Sequence, residues 1–312
     1  MKIDLPLPVL YALGGVIALL VVASVIAAVL ARTHPDRDYT ELRQRIRTWW
    51  FILAGFFIAV AFHRAVAFVA LALVSFIAFK EFLSIVPTRR ADYSVLLWAY
   101  LAIPFQYYWA WIGWYGMFII FIPVYMFLFL PMRMVLVGET PGFLRSIGIL
   151  HWGLMTTVFS LSHMAYLLAL PQPEGAVYDG VSLLFFLVLL TELNDVAQYV
   201  WGKLLGRHKV IPKVSPNKTW EGFLGGVATT TLVAWLIAPW FTPLAGYQCV
   251  ATGLLIAVAG FIGDVVVSAV KRDMGIKDSG AILPGHGGVL DRLDSLTFTA
   301  PHFFHFLYYL HY

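Results

Sequence analysis

Cysteine is nearly absent from this chain. Cys249 stands alone, which excludes an internal disulfide and any metal cluster built from cysteines. Charge is scarce as well: Asp, Glu, Lys and Arg make up 12% of the 312 residues, where a soluble domain carries about a quarter. There is no internal repeat, no low-complexity segment and no polar stretch long enough to form a soluble domain between the apolar runs. These absences exclude a soluble enzyme and give no support to a transporter built from repeated halves.

What is present is apolar sequence of bilayer-crossing length, recurring along the whole chain. The expected spans lie near 5–31, 49–62, 65–86, 95–111, 116–131, 147–170, 181–200, 222–240, 248–270 and 293–311. The expected fold class is therefore all-α: a polytopic integral membrane protein of about ten transmembrane helices, one continuous membrane domain. Residues 1–180 form its N-terminal helices, and 181–312 form a C-terminal region that carries a polar site. The first run is too long for a signal-peptide core and lacks a clear cleavage site, so it reads as a retained span. The run 49–62 is short for a crossing.

Of the 21 Lys and Arg residues, all but Lys2, Arg64 and Lys80 fall in alternate connections. By the positive-inside rule that side is cytoplasmic, and both termini face out. A net charge of +4 spread this way implies no nucleic-acid partner. The aromatic residues from Trp98 to Tyr115 read as an interfacial belt around an outer turn. The first half offers little chemistry; Lys80 and Glu81, near a cytoplasmic span end, read as structural.

Chemistry gathers in three stretches of the second half. In TELNDVAQYVWGK (191–203), Glu192, Asp195 and Tyr199 follow i, i+3, i+7 spacing and share a helix face. In SPNKTWEGFLGG (215–226), Ser215 reads as a helix N-cap with Pro216 at the first helical position, beside Lys218. Such a helix start is an anion site. Gly222 and Gly226 have the spacing of a close helix contact. In the third stretch Asp264 lies about 10 Å inside a span from Lys271 and shares a face with Ser268. A carboxylate at that depth needs a partner or a wet crevice. The segment from Lys271 to Arg292 is too long and too glycine-rich for a plain connector, and its glycines let backbone amides approach an anion. Acids, bases and flexible backbone together suit a polyphosphate held with Mg²⁺, which takes oxygen ligands from one or two carboxylates and the phosphates themselves.

The pattern S-x-x-K-R-x4-K-D-x5-P-G-H-G-G-x2-D-R-x-D runs without a gap from Ser268 to Asp294. It resembles the signature of the phosphatidate cytidylyltransferases, the CDP-diacylglycerol synthases. Ser215 to Gly222 is similar to that family's S-P-K-K-T-x-E-G stretch, with Asn217 in place of the first lysine, and Asn194 to Gly202 is similar to its A-D-x-x-A-Y-x-x-G segment. Asn194 and Gln198 depart from the usual small and aliphatic residues, which marks a divergent, synthase-like branch. The resemblance covers the C-terminal part strongly and the first 180 residues only as a string of spans.

The resemblance implies that CTP and phosphatidate give CDP-diacylglycerol and pyrophosphate. It implies that Asp264 and Asp291 hold the catalytic cations, Mg²⁺ with a second cation weighed beside it, and that Lys271, Arg272 and Lys218 contact phosphates. Asp195, Ser215, Ser268, Lys277, Asp278, His286, Gly287 and Arg292 are expected to line the substrate site. A homodimer in a bacterial cytoplasmic membrane, with its site facing the cytoplasm, is also expected. Rival readings are cytidylyl transfer to an ether or polyprenyl phosphate and, from another class, a transporter with an acid relay through Asp195 and Asp264. The helix pattern of a CDP-alcohol phosphotransferase is absent.

Overall fold

The structure, a computed structural model, describes residues 5–34, 38–173, 175–282 and 287–312. Most of them are helical, because a backbone inside lipid finds hydrogen-bond partners only within its own helix. The N-terminal half comprises α1 (Leu7–Thr33), α2 (Thr40–Phe62), α3 (Arg64–Ile85), α4 (Tyr93–Trp111), α5 (Tyr115–Val135) and α6 (143–167). The C-terminal half comprises α7 (Gly180–Leu205), the strands β1 (Lys209–Ile211) and β2 (Ser215–Thr219), α8 (Trp220–Phe241), α9 (Tyr247–Asp273), the single turn α10 (Leu290–Leu293) and α11 (Leu296–His311).

Among the described residues seven helices are long and apolar enough to cross a membrane: α1, α2, α3, α5, α7, α8 and α9. The helices α4, α6 and α11 coincide with the other expected spans, although α11, at 16 residues, is short for a full crossing. Wide turns interrupt α5 at Phe121–Met126, where Pro123 lacks the amide that a regular turn needs, and α6 at Leu154–Phe159.

The structure corrects two expectations. The short run 49–62 belongs to a 23-residue helix that begins at Thr40. Hydropathy marks where a helix meets lipid, whereas α2 continues outward through Glu41 and Arg45, which pair one turn apart. Ser215 is not a helix cap. It opens β2, which pairs antiparallel with β1 as a short hairpin within an otherwise all-α fold. A Ser-Pro pair suits a helix start and an edge strand equally, since proline fixes φ without requiring a donor. The helix instead begins after Thr219, whose hydroxyl accepts from the Gly222 amide at 3.1 Å.

The C-terminal half is the tightest part of the bundle. There α8 lies directly on α7, and a Cβ on Gly222 would stand 2.7 Å from the Gln198 carbonyl oxygen. One on Gly253 would stand 2.6 Å from Thr231 Cα, so α9 approaches α8 as closely. Asn194, fully buried, donates to the Ala257 carbonyl and accepts from Thr230 Oγ1, both at 3.2 Å, joining α7, α9 and α8. By contrast α1 buries only Val9, Leu13 and Ala27 and turns most of its apolar surface outward. This packing brings the end of α7, the hairpin, the start of α8, the end of α9 and α10 to one end of the bundle.

Candidate active site

At that end lies a cavity of about 1230 Å³. Glu192, Asp195, Gln198 and Tyr199 reach it from one face of α7, as their spacing requires. The strand β2 contributes Ser215, Asn217 and Lys218, and α9 contributes Asp264 and Lys271. Lys277, Asp278, Gly280 and Gly287 come from the segment after α9, followed by Asp291, Arg292 and Asp294.

Two ion pairs cross the cavity and stitch distant segments together. Lys218 Nζ meets Asp264 Oδ2 at 2.6 Å, and Lys271 Nζ meets Asp291 Oδ1 at 2.7 Å. Lys218 also donates to Gln198 Oε1 at 3.0 Å and stands 5.4 Å from the centre of the Phe261 ring. One ammonium thus ties the hairpin to both α7 and α9. Burial pushes its pKa down, but Asp264, Asp195 and Asp294 outweigh that and hold it above the ordinary lysine value.

Asp291 is held more completely. Its Oδ1 accepts from Lys271, and its Oδ2 accepts from the amides of Ser279 and Gly288 at 2.7 and 2.8 Å. Burial raises its pKa, but Lys271 and those amides together hold it below the usual carboxylate range. Gly287 has φ +81°, in the left-handed region, and a Cβ there would stand 2.6 Å from Asp291 Oδ2, so this turn requires glycine.

The other expected residues are distributed as follows. Ser268 donates to Asp264 Oδ1 at 3.2 Å and orients it rather than lining the cavity. Arg272 does not line the cavity: its guanidinium donates to the carbonyls of Val214 and Ile276, clasping the hairpin turn to the end of α9. Asp195 Oδ2 accepts from Ser295 Oγ at 2.8 Å. Its Oδ1 is buried with no partner among the described residues. Arg292 lines the cavity with its Nε likewise unpaired. His286 lies outside the described residues.

Several lining residues went unread in the sequence. Glu41, Arg45 and Trp49 of α2 reach the cavity from the half judged poor in chemistry. Their i, i+4, i+8 spacing was the available signal. Asp294 closes the motif as a cavity residue. Glu81, read as structural, accepts from the amides of Val289 and Leu290 just before Asp291.

The donor set around the cavity is hard oxygen, the kind Mg²⁺ takes. A carboxylate has about four lone-pair sites, and neither Asp264 nor Asp291 uses all of its own in the contacts above; Asp195 Oδ1 uses none. No group of three or more His, Cys, Asp or Glu stands ready as a cage among the described residues. Mg²⁺ is commonly shared between one or two carboxylates and a substrate's phosphates.

The chain is 46% identical over 297 residues to the uncharacterized protein YnbB of Escherichia coli K12, a match covering 95% of this chain and 97% of that one. It is 42% identical over 125 residues to phosphatidate cytidylyltransferases of Staphylococcus epidermidis and Staphylococcus aureus, covering 39% of this chain and 48% of those enzymes. The chain thus spans about half the length of the staphylococcal relatives. The profile of the cytidylyltransferase family matches residues 43–310. That stretch runs from the first turn of α2 through the last turn of α11 and contains every cavity residue except Glu41, so the chain belongs to the cytidylyltransferase family.

Proposed function

We propose that the protein transfers the cytidylyl group of CTP to phosphatidate, giving CDP-diacylglycerol and pyrophosphate. The observation that carries this reading is the pair of ion bridges, Lys218–Asp264 and Lys271–Asp291, set across one cavity between the hairpin, α9 and α10. Each couples an ammonium able to take phosphate charge to a carboxylate able to take a cation. The names of the staphylococcal relatives supply the substrate pair.

In this reaction an oxygen of the lipid phosphate attacks the α-phosphorus of CTP. A phosphorus–oxygen bond forms there as the bond to the β-phosphate breaks, and pyrophosphate leaves. A phosphate monoester has a second pKa near 6, so at neutral pH the nucleophile is already deprotonated and needs no general base. The barrier lies in bringing two anions together and supporting charge on the leaving group. Lys218 and Lys271 address the first by neutralising phosphate oxygens, with Lys277 and Arg292 on the cavity wall beside them. Ser268 keeps Asp264 turned toward the cavity, and the Ser279 and Gly288 amides keep Asp291 fixed. Asp264 and Asp291 would hold Mg²⁺, which when bound would supply positive charge against the phosphates.

The basic connections favour ten spans with the cavity on the cytoplasmic side, and the family resemblance favours a homodimer in a bacterial cytoplasmic membrane. The test is to incubate the purified protein in detergent with CTP, Mg²⁺ and, in parallel, phosphatidate, an ether-linked phosphatidate and a polyprenyl phosphate. Mass spectrometry should find the CDP-lipid chiefly from phosphatidate. Product from the polyprenyl phosphate alone would transfer the reading to that acceptor.

A further inference from the structure

The segment that carries Asp291 is braced by a second carboxylate from the other half of the protein. Glu81 sits near the end of α3, is 5% exposed and does not line the cavity. Its Oε1 accepts from the Val289 amide at 3.0 Å. Its Oε2 accepts from the Leu290 amide at 2.8 Å and from Ser279 Oγ at 3.3 Å. Asp291 grips the same two pieces of chain from the cavity side, through the amides of Ser279 and Gly288. Ser279 therefore gives its hydroxyl to one carboxylate and its amide to the other. Residues 288–290 likewise divide their amides between the two. The fit is close: a Cβ on Gly280 would stand 2.9 Å from Glu81 Oε1, and one on Gly288 2.5 Å from Oε2. The crowding at Gly280 comes from Glu81 and at Gly288 from Ser279 Oγ and Glu81 together, and not from a turn, since neither glycine has positive φ.

We infer that Glu81 is a positioning residue for the reaction, fixing the backbone of Ser279 and of residues 288–290 so that Asp291 meets Lys271 across the cavity. The inference rests on the functional reading given above. The chemistry favours it over a merely structural ion pair. Among the described residues no cation pairs with Glu81; its recorded partners are two backbone amides and a hydroxyl, all within the segment that leads into Asp291. Oxyanion-to-amide bonds of this kind are short and directional, so they fix position as well as add stability.

The consequence is specific. An amide in place of the carboxylate turns one acceptor into a donor facing a backbone N–H or the Ser279 hydroxyl. The segment then shifts while the cavity residues themselves are unchanged. Misplacement of about 1 Å can cost about 10²-fold in rate. A defect that merely reduced the folded fraction would lower the rate per milligram and leave the Mg²⁺ requirement alone. Displacing Asp291 instead raises the Mg²⁺ concentration needed for half-maximal rate.

The experiment compares full-length wild type, Glu81→Gln and Glu81→Asp in nanodiscs. It reads cytidylyl transfer against Mg²⁺ concentration and, separately, backbone hydrogen exchange over residues 279–291 without substrate. For Glu81→Gln the expected results are a kcat lower by about 10²-fold, a raised Mg²⁺ half-saturation and faster exchange at 288–290. Glu81→Asp should recover part of each. Unchanged exchange, or lost rate with an unchanged Mg²⁺ half-saturation, overturns the inference. If Glu81→Gln does not accumulate folded, Ser279→Ala decides the matter. It removes one donor to Glu81 while keeping the Ser279 amide on Asp291, and should shift both readouts in the same direction; no shift in either overturns the inference. A wild type that transfers nothing, while exchange responds as expected, sinks the functional reading and leaves the brace standing.

Discussion

In the proposed reaction the chemistry turns on Asp264 and Asp291. Each pairs with a lysine from a different segment, so a change at either alters charge balance as well as a cation ligand. Asp264→Asn and Asp291→Asn should each lower transfer by at least about 10²-fold, the scale of losing one electrostatic contact to a transition state. Steady-state rates at saturating CTP, on protein checked for folding, measure this.

The pH dependence follows from the same residues. Asp291 lies in α10, outside the long spans, and its pKa is held low. A depressed carboxylate contributes stability that is present above its unfolded value near 3.9 and lost only as pH falls through the lower folded value. Between pH 5 and 8 it does not titrate. Asp291 therefore supplies no acid limb in that range, whereas the lipid phosphate, with a second pKa near 6, would supply one. A phosphonate analogue of phosphatidate, which ionises less readily, should move the limb to higher pH. A limb that stays in place would assign it to a protein group.

Most of these residues were legible in the sequence because the motif from Ser268 to Asp294 keeps its chemistry in one contiguous stretch. Glu81 was not. Its partners lie some two hundred positions away, and a lone acid beside Lys80 near a span end gives no sign of which backbone it will meet. Asn194 and Gln198, which marked the chain as divergent, now separate. Asn194 joins three helices, while Gln198 touches Lys218 in the cavity.

At the scale of elements, the site depends on how closely α7 and α8 approach. The Gly222–Gly226 spacing announced that contact, though not its partner, because spacing says nothing of which helix fills the gap. The hairpin was hidden for a different reason: Ser-Pro followed by Asn-Lys-Thr reads locally as a helix start, and only pairing with Lys209–Ile211 selects the strand. A methyl group at Gly222 meets backbone, the Gln198 carbonyl at 2.7 Å, and cannot be relieved by a rotamer change. Gly222→Ala should therefore cost about 1–3 kcal/mol, the range for overpacking. It should also loosen the Lys218–Asp264 pair, because Lys218 lies on the strand leading into α8 and also donates to Gln198 on α7. Thermal unfolding in detergent reads the first effect and transfer rate the second. Gly148→Ala, in α6 with nothing within 4 Å of its Cβ, is the control and should leave both unchanged.

For the whole molecule, the alternation of basic connections gives the arrangement a sidedness that substituted cysteines can read. In a Cys249→Ala background, Asp273→Cys and Ser94→Cys, both exposed, should react with an impermeant thiol reagent from the cytoplasmic side, and Gln172→Cys only from outside. Labelling of positions 273 and 172 from the same side would overturn the ten-span arrangement. The N-terminal half, which the family profile matches from residue 43 onward, contributes a cavity wall through α2 and a brace through α3. The account's central claim is that this bundle breaks CTP between its α- and β-phosphates and keeps the α-phosphorus on a lipid. Parallel reactions of purified wild type with phosphatidate, Mg²⁺ and CTP labelled at either the α- or the γ-phosphorus test it most directly. The account expects the α-label in the organic phase as CDP-diacylglycerol, the γ-label in pyrophosphate in equal amount, and neither product from Asp264→Asn. Release of the γ-label as inorganic phosphate, or α-label that never enters the lipid, would contradict it.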